Sequence, residues 1–268
     1  AHCLLGRAAC DQGDFQSSIS HMSEAKTLDP QKYGEQVNVL TVLSYHKLQD
    51  VNKLKETLET LQKENPAAVS RVPDVIPAWL GLQAYGMKDL ETADKYMTWA
   101  TQNDQLQNVK KVIWRNLAKV RLALKKYDRA LVASNNFLKV EDQPYRRADG
   151  MLDKASILLG LGKYAEARKT AEEALALGVE GPLMASLKIV LGDISYAEKK
   201  FDEAAKHYGV TAELFVNDAE LKPKALFKAA EALDKAGRKS EASQYRARLQ
   251  KEFPDWKQEG ESLPPDAR

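Results

Sequence analysis

Apolar residues recur at spacings of three and four along most of this chain, a pattern typical of amphipathic helices with one buried face. Signals for strands are weak: no Asn-Gly or Asp-Gly turn joins two alternating runs of β-branched residues. The pattern of apolar and polar positions therefore predicts an all-α protein.

A longer pattern of small and aromatic residues is superimposed on the helical one. In residues 159–178, a Gly is followed by Tyr164, by Ala167 three positions later and by Ala174 seven positions after that. One small or apolar residue marks the same place in seven such copies: Ser18, Leu54, Ala93, Ala130, Ala167, Ala204 and Ala242. The copies follow one another at 36 to 39 residues. A near-constant period of this length predicts a solenoid of about seven antiparallel helix pairs, each burying its apolar face on its neighbours.

The residue types of the repeat have structural reasons. The small marker residues allow the two helices of a pair to approach closely. Aromatic residues are predicted to open the second helix of several pairs and to fill the gap between stacked pairs: Phe15, Tyr127, Tyr164 and Phe201. Gly13, Gly162 and Gly237 stand where a left-handed residue would end the first helix of a pair.

This order of residues resembles the tetratricopeptide repeat of bacterial proteins, although the period is a few residues longer than usual in that family. The extra residues fit connections between pairs, such as residues 63–77. The resemblance implies a right-handed superhelix whose concave surface is lined by the first helices. We expect one such domain over residues 1–256 and a polar tail over residues 257–268. Residues 249–254 resemble the end of the last repeat in bacterial envelope proteins, which favours the periplasm or cell envelope over the cytoplasm.

Composition and charge limit the class of protein. The chain has 268 residues, of which 44% are hydrophobic and 29% charged, and a formal net charge of +2. These values exclude a fully disordered or collagen-like chain, and no apolar run reaches the roughly 18 residues of a membrane span. The sequence begins without Met in a segment that is predicted to be helical, which indicates a truncated N-terminus and leaves the compartment open on this ground.

Motifs for catalysis and metal binding are weak. Cys3 and Cys10 lie seven residues apart on a predicted helix, about 10 Å along its axis, so both should be free thiols. His2 and His21 suggest a metal site with this pair, but the ligand spacing of known zinc motifs is missing, and we predict no metal site. Residues 81–88 resemble a phosphate loop only superficially. We predict no enzymatic activity and no cofactor.

The most unusual charge pattern is in residues 110–129, which contain eight basic residues and one acidic residue. Lys111, Arg115 and Lys119 are spaced by four and therefore share one helical face. Two interpretations remain open. The bases form ion pairs with acids of neighbouring repeats along a solvated helix edge, or they form a docking strip for an anionic partner.

We predict a non-enzymatic scaffold for protein–protein interactions that binds a peptide or a partner helix in its concave groove, where the basic residues would suit an acidic partner. The alternatives are binding of nucleic acid or another polyanion through residues 110–129, or a recognition arm of a larger multidomain protein. No small-molecule substrate is implied. The predicted partner-binding residues are Leu43, His46, Leu82, Tyr85, Lys111, Arg115, Lys119, Leu152, Ser156, Ile189, Asp193 and Tyr196.

Overall fold

The structure, a computed structural model, describes residues 1–102, 107–214 and 218–257. This part of the chain contains fourteen α-helices, one 3-10 helix and no strand, which confirms the all-α solenoid of seven helix pairs. The α-helices are α1 (His2–Asp11), α2 (Phe15–Leu28), α3 (Pro30–Lys47), α4 (Val51–Glu64), α5 (Val75–Gly86), α6 (Leu90–Ala100), α7 (Gln107–Ala123), α8 (Tyr127–Val140), α9 (Pro144–Gly160), α10 (Tyr164–Ala176), α11 (Gly181–Ala197), α12 (Phe201–Leu214), α13 (Leu221–Lys235) and α14 (Lys239–Glu252).

The chain divides into two compact units, Ala1–Ile113 and Trp114–Arg268, here called unit 1 and unit 2. The sequence prediction of one domain over residues 1–256 stays a prediction. Apart from Lys257, the predicted polar tail over residues 257–268 lies outside the described residues.

Unit 1 is built from helices that pack on their neighbours in the sequence. Helix α1 packs on α2, α2 on α3, α3 on α4, and α5 on α6. Helix α4 buries Leu54, Leu58 and Leu61 completely, and these side chains form one apolar cluster with Val42 and Leu80. A 3-10 helix (Pro66–Arg71) connects α4 to α5, so the long predicted connection has local structure of its own.

The core of unit 2 contains many alanines among larger apolar side chains. Ala155 of α9 and Ala167 and Ala171 of α10 are fully buried in one cluster that continues to Leu187 of α11. Helix α9 also packs closely on α11, and α11 on α13, whereas the backbones of successive even-numbered helices stay further apart in the described residues and are joined by ion pairs such as Arg168–Glu203. The stack is therefore tighter on the side of its odd-numbered helices. We call this side the odd-helix face of unit 2.

All seven marker residues of the repeat are fully buried, which confirms their predicted role at helix crossings: Ser18, Leu54, Ala93, Ala130, Ala167, Ala204 and Ala242. The predicted aromatic residues begin α2, α8, α10 and α12. Cys3 and Cys10 are both free thiols, as their spacing predicts.

The turn inside each helix pair contains one left-handed residue, five positions before the marker residue of the pair. These residues are Gly13, Gln49, Lys88, Lys125, Gly162, Lys199 and Gly237. The three predicted glycines have φ values of 82°, 71° and 79°, which confirms their role. The other four positions hold residues with a Cβ atom. The repeat therefore requires a left-handed residue at this position of the turn, but it does not require glycine.

Candidate functional site

In unit 1, the predicted binding residues lie on two odd-numbered helices and are partly exposed. Leu43 and His46 belong to α3, and Leu82 and Tyr85 belong to α5. The His46 and Trp79 rings form a T-shaped pair, with 5.3 Å between centroids and 85° between planes. Burial lowers the pKa of His46 below its usual value, with a smaller effect from Lys47. This surface is therefore apolar and aromatic, with a histidine that tends to be neutral.

In unit 2, two basic residues of α7 meet two acidic residues of α9. Arg115 donates a hydrogen bond from Nη2 to Oδ2 of Asp149, and Nζ of Lys119 lies 3.9 Å from Oδ2 of Asp153. The partners of each pair are 34 residues apart, about one repeat, because stacking brings equivalent turns of successive odd-numbered helices side by side. We call Arg115, Lys119, Asp149 and Asp153 the charged cluster.

The charged cluster contains two polar atoms that are buried without a hydrogen-bond partner, Nε of Arg115 and Oδ2 of Asp153. The Asp153 side chain is only 14% exposed. Burial raises the pKa of Asp153 to about 6, against the opposing effect of Lys119 and with a further raising effect of Asp149. Unsatisfied polar atoms in buried positions are costly, so this arrangement has capacity to bind a polar group.

Asp193 lies further along the odd-helix face and also has strong partners. It accepts hydrogen bonds from the Tyr208 hydroxyl at 2.6 Å and from Lys228 Nζ at 2.9 Å. Burial raises the pKa of Tyr208 well above its usual value, so this hydroxyl stays protonated and donates. These bonds join α11 to α12 and α13, which gives Asp193 a clear structural role.

Two predicted wall residues are part of the core instead. Ile189 is 4% exposed and Tyr196 is 5% exposed, and both belong to the apolar cluster of α11 to α14. The Tyr196 ring packs edge-on against Phe201, with 5.2 Å between centroids. The prediction that they form an exposed binding wall is wrong, because the neighbouring helix pair covers the face of α11 on which they lie.

The remaining predicted residues are partly exposed. Leu152 packs against the apolar cluster of α9 to α11, and the Ser156 hydroxyl donates to the Leu152 carbonyl at 3.1 Å. Lys111 lies in α7 and also interacts with another group of the protein.

At two positions the ion pairs agree with the first interpretation of residues 110–129. Arg115 and Lys119 are paired with acids of the next odd-numbered helix, as the first interpretation expected. Arg121 is buried and donates to the Arg129 carbonyl at 3.2 Å. The positive charge of the segment is therefore partly neutralised within the protein.

Sequence reasoning missed the acidic half of the cluster. Asp149 and Asp153 each follow a basic residue of α7 by 34 residues, and Lys228 follows Asp193 by 35. Opposite charges separated by about one repeat on equivalent helices are the signal that would have found these pairs.

Comparison with known proteins gives a family match for part of the chain. Residues 152–215 match the family described as tetratricopeptide repeat. None of the curated protein sequences matches the chain. No helix among the described residues is long and apolar enough to cross a membrane.

Solved structures with the same fold cover nearly the whole chain. The apo form of RapI is 14% identical with a TM-score of 0.59, covering 96% of this chain and 77% of RapI. A Rap protein complexed with Competence and Sporulation Factor is also 14% identical, with a TM-score of 0.58 and coverage of 95% and 76%. The Cut9–Hcn1 hetero-tetramer of the APC/C gives 16% identity and a TM-score of 0.54, covering 90% of this chain and 43% of that one. At these identities the comparisons show the fold alone.

Proposed function

We propose that this chain, which carries tetratricopeptide repeats, is a non-enzymatic scaffold that binds an extended peptide or a partner helix on its odd-numbered helices. The fold supports a role in protein–protein interaction. Among the structures of the same fold, one Rap protein is complexed with Competence and Sporulation Factor, and Cut9 is assembled with Hcn1.

The observation that carries this proposal is the pair of unsatisfied atoms in the charged cluster. Oδ2 of Asp153 needs a donor, and Nε of Arg115 needs an acceptor. A peptide group or an Asn or Gln side chain offers one N–H and one C=O and would satisfy both. The Arg115 and Asp149 side chains keep about a quarter of their surface exposed, so small side-chain rotations would open the cluster to a ligand.

The charges favour a partner that carries both hydrogen-bond donors and acceptors and is not strongly acidic. Two basic and two acidic side chains give the charged cluster a formal charge near zero when Asp153 is ionised. A strongly acidic partner would compete with Asp149 and Asp153 for the same bases. We therefore propose a ligand that donates to Asp153 and accepts from Arg115, and the acidic character considered from the sequence is not needed.

The raised pKa of Asp153 gives this binding a pH dependence. A ligand N–H binds the ionised carboxylate better than the protonated acid, so binding should lower the pKa of Asp153. By linkage, affinity should then fall as the pH decreases through about 6, the pKa of the free protein.

The experiment is a selection of displayed random peptides on the wild-type chain, followed by affinity measurements on variants. Asp153→Asn and Arg115→Gln should each weaken the selected peptides by about tenfold or more, since each leaves a buried ligand group unpaired. Asp202→Asn is the matched control, because Asp202 forms an exposed ion pair with Arg238 at 2.9 Å outside the charged cluster. It should bind as wild type does.

Two outcomes contradict the proposal. Equal affinity of wild type, Asp153→Asn and Arg115→Gln would place peptide binding elsewhere. Failure to select any peptide, together with binding of a DNA or RNA oligonucleotide that weakens steeply with salt, would favour the polyanion alternative through residues 110–129.

A further inference from the structure

Three potential metal ligands meet at the first helix pair, far from the charged cluster in the sequence. His2 lies at the start of α1, while His21 and Glu24 lie three residues apart on one face of α2. One ligand atom from each residue lies within 4.8 Å of the other two. The sequence pointed to the two histidines but not to Glu24, and it predicted no metal site, because the histidines are 19 residues apart and meet only when α1 folds back on α2.

The distances suit a small cation. Nδ1 of His2 lies 2.5 Å from Oε2 of Glu24, and Nδ1 of His21 lies 3.9 Å from the same oxygen. The two imidazole centroids are 5.7 Å apart. Tetrahedral zinc with bonds of about 2.0–2.1 Å needs its ligand atoms about 3.3 Å apart, which lies between the two measured separations. Modest side-chain rotations would therefore bring all three to one ion.

A second observation points to a ligand. Nδ1 of His2 and Nδ1 of His21 are both buried atoms, and neither has a partner in hydrogen-bond geometry. Glu24 lies within ion-pair distance of both nitrogens, but neither contact has hydrogen-bond geometry. Two buried nitrogens without partners facing one carboxylate are an unfavourable arrangement in the absence of a proton or a cation between them.

We propose that His2, His21 and Glu24 bind a divalent transition-metal ion of the zinc class. Two imidazole nitrogens and one carboxylate oxygen are ligands that Zn²⁺ accepts, whereas Mg²⁺ prefers oxygen ligands alone. Three protein ligands leave the fourth tetrahedral position to water, since the side chains of His2 and Glu24 are 36% and 53% exposed. The ion joins α1 to α2 and so stabilises the first helix pair.

The test is isothermal titration calorimetry of the 268-residue chain with Zn²⁺ and with Mg²⁺, using protein that carries no polyhistidine tag. We expect one zinc ion per chain and no measurable binding of Mg²⁺. The melting temperature should rise when zinc is added, because the ion binds the folded chain in preference to the unfolded one.

Variants assign the ligands. His21→Gln and Glu24→Gln should each weaken zinc binding by more than the roughly tenfold to hundredfold loss typical of outer-shell substitutions. Both side chains are at least one-third exposed, so the metal-free fold should tolerate either change. His207→Gln is the matched control, because His207 lies 3.8 Å from Glu203 without a second histidine. It should bind zinc as wild type does.

Three results would overturn the proposal: no zinc bound by wild type, equal zinc affinity of wild type and both ligand variants, or an equal loss of affinity in His207→Gln. Persistence of zinc binding in the ligand variants together with its loss on alkylation of Cys3 and Cys10 would also overturn it, because the thiols would then be the ligands.

Discussion

At the scale of single residues, Gly81 shows how closely helices of one pair approach. A Cβ atom at this position would lie 2.9 Å from the backbone nitrogen of Met97 on α6 and 2.7 Å from its Cγ. The Met97 side chain could rotate away, but its backbone nitrogen moves only with the helix. At Gly192, in contrast, an added Cβ atom would collide with the ring of Tyr208 and not with a backbone atom.

Gly81→Ala should therefore destabilise the chain by about 1–3 kcal/mol, the usual cost of overpacking a tight contact. Gly34→Ala in α3 is the control, because a Cβ atom there would meet nothing within 4 Å. Its better helix propensity should stabilise the chain by about 0.5–1 kcal/mol. Urea unfolding of the two variants measures both effects. Equal stability of the two would show that α5 and α6 are not in close contact at Gly81.

Residues differ in how far the sequence alone predicts their roles. The close contacts at the marker alanines could be predicted, because a small residue that recurs at the period of the repeat indicates a close helix crossing. Asp153 could not, since its burial and its raised pKa depend on which residues of the preceding repeat stack against it. Ile189 and Tyr196 were misplaced for a related reason: residues of one helix turn point to different sides, and only packing shows which side is covered.

At the scale of helices, the two units begin their second helices differently. In unit 1, Asp14, Asp50 and Asp89 precede α2, α4 and α6, and each side chain accepts a hydrogen bond from a backbone N–H of the first turn. In unit 2, Lys163 precedes α10 and makes no such bond. Its φ and ψ of −85° and 61° are close to the −84° and 76° of Asp14. The backbone is thus already suited to a cap that the lysine cannot supply.

Lys163→Asp should stabilise the chain by about 1 kcal/mol, the usual gain from an N-cap side chain. The change also removes an exposed ion pair with Glu166 at 3.9 Å, which contributes little. Thermal unfolding measures the effect, with Asp50→Ala as the reverse control that should lose a similar amount. If Asp50→Ala lowers the stability of the chain but Lys163→Asp does not raise it, the two turns differ more than their dihedral angles indicate.

The beginnings of helices were predictable where aromatic residues mark them, as at Phe15 and Tyr164. The connection over residues 63–77 was predicted to be long, but not to contain a 3-10 helix from Pro66 to Arg71. Pro77 lies in the first turn of α5, where the missing N–H of proline is tolerated. Three prolines in fifteen residues indicate an interrupted segment, and tertiary packing decides which of them begins a helix.

At the scale of the whole molecule, contacts are local in the sequence. The buried residues of the apolar cluster around Ala167 run from Ala148 to Ile194, in α9, α10, α11 and the connection before α11, and two partly buried leucines of α8 pack against them. The cluster around Leu54 takes its buried residues from α3 to α6 and from the connection between α4 and α5, which includes the 3-10 helix. Stability in such a solenoid is a sum over repeats and their nearest-neighbour contacts, so damage to one repeat should remain near that repeat. The charged cluster follows the same rule, because its acidic and basic partners lie on successive odd-numbered helices, about one repeat apart in the sequence.

Ala167→Leu tests this locality. Ala167 is fully buried, and a larger side chain there should cost about 1–3 kcal/mol through overpacking. Hydrogen exchange followed by mass spectrometry should show loss of protection in α9 to α11 and unchanged protection in α1 to α4, because exchange reports local opening. Val132→Leu on α8, where the side chain is 57% exposed, is the control for added volume alone. An equal loss of protection in α1 to α4 would mean that the chain unfolds as one cooperative unit, because only a global opening connects helices that share no contacts with Ala167.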